Sequence, residues 1–109
     1  MSQITTHVLD TARGLPAENM TIVLSKKSQE QWQEVSQGIT NTDGRLAVKE
    51  PLPAGSYRMR FETDAYLKQH VGESFYPYVD VVFTICNEEQ HFHIPLLLSP
   101  YGYSTYRGS

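Results

Sequence analysis

One cysteine, Cys86, stands in a chain of 109 residues, so no disulfide can form within it. So low a thiol count suits a reducing compartment. The general tendency of free cysteines to be buried makes Cys86 a half-buried structural thiol. No hydrophobic run approaches the length of a membrane span, and "MSQITTHVLD" has neither the basic nor the apolar segment of an export signal. The sequence as given therefore reads as unexported and cytoplasmic, with no membrane partner. An excess of one charge is also missing: nine Lys and Arg are scattered among twelve Asp and Glu, for a net charge of −3. Without a basic patch, nucleic acid is not an expected partner. Phosphate loops, nucleophile elbows, a Ser-His-Asp order and paired carboxylates are absent too. The length suits one domain, residues 1–109, with a single hydrophobic core.

Apolar residues recur with period two in short runs separated by turn residues, the pattern of an antiparallel all-β sandwich or barrel, and eight strands in this order suggest two packed sheets. Candidate strands cover residues 4–10, 20–27, 32–39, 45–48, 55–62, 78–86, 91–99 and 103–107. Between them lie "RGLPAEN", "NTDGR", "EPLPAGS" and "CNEEQ", clusters rich in Gly, Pro, Asn and Asp. Only "DAYLKQHVG" reads as a short helix, with Asp64 as its N-cap and Gly72 as its stop. The chain closes on "SPYGYSTYRGS", whose three tyrosines and one arginine are residue types that favour packed or binding surfaces. An exposed strand does not need so many aromatics, and association between copies would cover them.

In "HFHIPLLLSP", strand alternation puts Phe92, Ile94, Leu96 and Leu98 on the core face and sends His91, His93, Pro95 and Leu97 to the other. Two imidazoles on an outer face can be ordinary surface residues. They can also supply a general base that titrates near neutrality, or half of an H-x-H metal site. The metal reading is the weaker, because zinc takes three or four ligands and no Cys or carboxylate lies at a matching spacing. His7 alternates with Thr5 and Leu9 in "ITTHVLD", Arg45 opens a strand after "NTDG", and His70 reads as a solvated helix residue.

Taken together, "HVLD", "DGR" and "HFHIPLLLSPYGYSTYRGS" resemble the transthyretin-related 5-hydroxyisourate hydrolases from His7 to Ser109. The terminal "YRGS" is the mark that separates these enzymes from transthyretin, which is similar in fold but binds thyroid hormone. The resemblance implies a sandwich of two four-stranded sheets with one short helix, assembled as a homotetramer whose central channel carries sites built from paired subunits. It implies hydrolysis of 5-hydroxyisourate to 2-oxo-4-hydroxy-4-carboxy-5-ureidoimidazoline, with no metal or organic cofactor.

Carried over residue by residue, the family's site falls on His7, Arg45, His93 and the tail from Tyr106 to Ser109. Strand parity leaves His91 and His93 both open, and alignment on "LLSP" favours His93. The resemblance makes His7 and His93 the water-activating pair and Arg45 the group that orients substrate and stabilises the oxyanion. Tyr106 joins them in contact with substrate, as do Ser104, which shares its parity, and Ser109, while Arg107 and Gly108 fix the tail. The competing reading is a transthyretin-like carrier of a small aromatic ligand. Transthyretin itself carries lysine and glutamate at the places of His7 and Arg45.

Overall fold

The computed structural model of the protein describes residues 4–108. Among these residues nine strands form two sheets, and one helix packs beside them. In the first sheet β1 (Ile4–Asp10) lies parallel to β8 (Phe92–Ser99). β8 pairs in turn with β9 (Gly102–Thr105) through a hairpin. The free edge of β1 takes β5 (Arg45–Val48) along its first half and the two-residue β2 (Leu15–Pro16) along its last two residues. The second sheet runs β4 (Gln31–Ile39), β3 (Thr21–Ser28), β6 (Gly55–Phe61), β7 (Val79–Ile85), all antiparallel. The expected two-sheet sandwich is therefore present, its first sheet extended by the short β2, but the expected antiparallel pattern is broken where β1 and β8 run parallel.

Alternation decides which side chains enter the core. Ile4, Thr6, Val8 and Asp10 of β1 are buried, and Thr5, His7 and Leu9 between them are half-buried on the outer face. From the second sheet Leu24, Tyr57, Met59 and Phe61 come inward, each no more than 2% exposed. Burying a side chain of this size contributes about 1.5–3 kcal/mol.

Asp10 is buried with an acceptor role. It accepts from the Tyr66 hydroxyl at 2.7 Å and the Arg13 amide at 3.0 Å, which ties the helix α1 (Thr63–His70) to the end of β1. Burial and this bond to Asp10 push the Tyr66 phenol up to about 12.

Four expectations change. Asp64 does not cap the helix: Glu62 holds that place, its amide still bonded to the Thr21 carbonyl, so the helix springs directly from β6. Asp64 lies in the first turn and pairs with Lys68 at 3.2 Å. Cys86 is exposed rather than half-buried, because Ile85 before it takes the inward position as β7 ends. Pro95 is buried although it sits on the outer parity, with β1 on one flank and the tail on the other.

The last strand stops at Thr105 rather than 107. The register that pairs Leu96 with Thr105 sets Tyr106 opposite Pro95, and proline has no N–H to offer a ladder. The Thr105 hydroxyl bonds the Pro95 carbonyl at 2.8 Å instead, and pairing resumes in the same register at His93 and Gly108. Gly72 does end the helix as expected: its φ is +96°, and its amide returns to the Leu67 carbonyl at 2.9 Å. Among the described residues, no helix is long and apolar enough to cross a membrane.

Candidate active site

Three strands place the polar residues of the outer face of the first sheet. His7 of β1 stands opposite Arg45 of β5, and Thr5 stands opposite Ala47 on one side and His93 on the other. Residues directly opposite share a face, so His7, Arg45 and His93 look outward together. His7 and Arg45 are a direct cross-strand pair, with β-carbons about 5 Å apart, and His93 stands on the other flank of β1, two positions along from the partner of His7.

The position of Arg45 is set by "NTDG". The Asn41 side chain accepts from the amides of Asp43 at 2.9 Å and Arg45 at 3.0 Å, closing the turn from inside. Gly44 has φ +74°, and its carbonyl accepts from the Val8 amide at 2.8 Å, fastening the turn beside His7. A β-carbon on Gly44 would meet the Val8 carbonyl at 2.5 Å, so only glycine lets the turn come this close.

Around His93 the contacts are direct. The Thr5 hydroxyl is 2.9 Å from its Nδ1, and the same oxygen is 3.0 Å from Nε2 of His91. On the other flank the Gly108 amide donates to the His93 carbonyl at 2.7 Å. Burial pushes the His93 imidazole below its ordinary value, and the electrostatic influence of Arg45, His7 and His91 pushes the same way. A neutral imidazole beside a guanidinium can accept a proton from water while the guanidinium steadies a developing anion. Among the described residues, no three His, Cys, Asp or Glu side chains are grouped to hold a metal ion.

Of the residues expected at the site, His7, Arg45 and His93 share this face, and Ser104, opposite Leu97, has the same parity and is exposed. Tyr106 is 58% exposed and also borders a cavity of about 260 Å³ between the sheets, with Phe83, Phe92 and Ile94. Arg107 lies over the Phe92 ring at 4.7 Å, an anchor for the tail. Ser109 lies outside the described residues. The sequence reading passed over Thr5, whose only signal was its alternation with His7. What makes it matter is the parallel pairing of β1 with β8, a contact between distant parts of the chain.

The fold and this face define the class: a transthyretin-like sandwich with a histidine and arginine cluster on the outside of one sheet. The HIUase/Transthyretin family matches residues 4–108, and the chain belongs to it. The chain is similar to the 5-hydroxyisourate hydrolase of Mus musculus, 51% identical over 113 residues that span 99% of this chain and 96% of that protein. A solved structure of Klebsiella pneumoniae 5-hydroxyisourate hydrolase is 38% identical, with TM-score 0.87 over 99% of this chain and 100% of that one. Sea bream transthyretin in complex with thyroxine is 29% identical, with TM-score 0.90 over 97% of this chain and 94% of that one. Backbone similarity thus does not separate hydrolase from carrier. Side chains must.

Proposed function

We propose that the chain is a hydrolase of urate degradation that opens 5-hydroxyisourate to 2-oxo-4-hydroxy-4-carboxy-5-ureidoimidazoline. One observation carries the reading: two histidines and an arginine face outward together, and one of the histidines is held toward its neutral form. His7 and His93 activate the water, Arg45 orients the ring and stabilises the oxyanion, and Tyr106, Ser104 and Ser109 contact the substrate. Water adds to a ring carbonyl as an imidazole takes its proton, and the tetrahedral intermediate collapses with cleavage of the C–N bond. A proton returned to the departing nitrogen completes the balance. None of these steps calls on a cofactor.

The working form is a homotetramer with the sites in a channel between paired subunits. Two facts support this: the His and Arg cluster lies on the open face of a sheet, and Phe75, Tyr101 and Tyr106 are each at least 58% exposed. A second copy laid on the face would exclude water from the site and cover aromatic surface. The lone thiol favours the cytoplasm. The carrier reading is weaker, because apolar ligand binding has no use for a guanidinium beside imidazoles.

The test generates 5-hydroxyisourate with urate oxidase and follows its ultraviolet decay with and without the protein. Enzyme-dependent acceleration is expected. In the same assay His93→Asn should lose at least about a hundredfold in turnover and His91→Asn much less. Decay at the spontaneous rate would leave the carrier reading in place.

A further inference from the structure

We propose that Thr5 is a positioning residue for this reaction. Its hydroxyl fixes His93 as the tautomer protonated on Nδ1, so that Nε2 is left to take the proton from water, and it gives its own hydrogen to Nε2 of His91. The proposal rests on the reading of His93 as a water-activating base.

The argument begins with a count of hydrogens. The Thr5 oxygen lies 2.9 Å from His93 Nδ1 and 3.0 Å from His91 Nε2. A hydroxyl has one hydrogen and two lone pairs, so it can donate to only one of these nitrogens. The reading of His93 as a base settles which. Nδ1 is engaged with Thr5, so Nε2 is the nitrogen left for water, and in a neutral ring it can take a proton only when the ring's own hydrogen is on Nδ1. It follows that the hydroxyl accepts from His93 and donates to His91.

A neutral imidazole carries a single N–H. With Nδ1 protonated, the lone pair must be on Nε2, the nitrogen next to Cδ2. Gly108 lies along the Cβ–Cγ–Cδ2 edge of the ring, where a β-carbon would come within 2.5 Å of Cδ2. The ring is thus held on one side by Thr5 and bounded on the other by a residue with no side chain. Arg45 from β5, His7 from β1 and His91 just before β8 are the charged or titratable groups that act on it, and all three favour the neutral ring. Thr5 makes its contribution through His93 and not through the substrate, which is why it is a positioning residue.

The experiment pairs nitrogen-15 NMR of histidine-labelled protein with kinetics of three variants. In the unaltered protein, above the titration of His93, its Nδ1 should give the shift of a protonated nitrogen and its Nε2 that of an unprotonated one. Thr5→Val removes the hydroxyl at almost the same volume and keeps a β-branched residue in the strand. It should mix the His93 tautomers and lower kcat at least about tenfold, part of what general-base catalysis contributes. KM should change less than about twofold, since ground-state binding is untouched. Thr5→Ser should restore both the tautomer and most of kcat.

A His93 already protonated on Nε2 in the unaltered protein would overturn the proposal. So would a Thr5→Val enzyme with unchanged kcat, or a Thr5→Ser enzyme as impaired as Thr5→Val. His93→Asn keeps the two failures apart: full turnover in that variant sinks the base assignment itself, whereas the NMR shifts judge Thr5 whatever the assay returns.

Discussion

Gly108 donates its amide to the His93 carbonyl at 2.7 Å, and a β-carbon on it would meet the His93 ring at Cδ2, Cγ and Cβ. The end of the tail is therefore packed against the imidazole proposed to activate water. The nearest of these approaches is 2.5 Å, about 1 Å inside ordinary contact, so Gly108→Ala must move either the ring or the tail. A displacement of that size costs about a hundredfold in rate when the moved group is reacting. Gly108→Ala should lose activity to this extent in the decay assay with an unchanged circular dichroism spectrum. Full activity would mean that the tail yields and the ring does not depend on it.

Acid should act on His93 in two ways. Burial first, and then the charges of Arg45, His7 and His91, hold its pKa below the ordinary 6.5. The neutral base persists as pH falls past 6.5, so the acid limb of kcat/KM should lie below that value. For stability, the unfolded chain binds this proton more readily than the folded one between the depressed value and 6.5. Stability from this group is therefore complete above 6.5 and falls as pH drops through the window. Urea unfolding at a series of pH values checks the second effect, and an acid limb above pH 7 would contradict the first.

Gly44→Ala tests the turn that presents Arg45. At φ +74° a non-glycine residue carries about 1–3 kcal/mol of strain, and its β-carbon would also strike the Val8 carbonyl at 2.5 Å. The variant should melt at least about 5 °C lower. Its KM should rise, because Arg45 follows the turn directly and would shift with it. An unchanged Tm with unchanged KM would show that the turn can relax at no cost.

Much of this was legible in the chain because the strands alternate cleanly. Ile4 to Asp10 reads as in and out by eye, and the turn residues of "NTDG" announce the start of β5. What the sequence concealed depends on pairing over long distances. Thr5 touches His91 and His93 only because β1 runs parallel to β8, and no local pattern specifies that register. The early end of β9 is similar: Pro95 is visible in the sequence, but its effect falls on Tyr106, its partner across the sheet. The helix start is hidden because Asp64 is a good capping residue type, while the bond from the Glu62 amide to Thr21 fixes where the chain turns.

Deleting residues 106–109 tests the tail as a unit. β9 should survive, since its pairing with β8 ends at Thr105, whose hydroxyl still bonds the Pro95 carbonyl at 2.8 Å. The core loses little: Arg107 no longer lies over the Phe92 ring, a contact worth about 0.5–1 kcal/mol at an exposed site. Phe92, now 6% exposed, becomes wetter, but the other core residues of β8 keep their neighbours. The site loses more. Tyr106 goes, and with Gly108 goes the bond that holds the His93 backbone from the side opposite Thr5. A few kcal/mol of lost positioning amounts to orders of magnitude in rate. The truncated chain should therefore keep its circular dichroism spectrum and, by sedimentation, its assembly, while hydrolysis falls at least about a hundredfold. A folded truncation that works at the full rate would remove the tail from the site and leave His7, Arg45 and His93 to act without it.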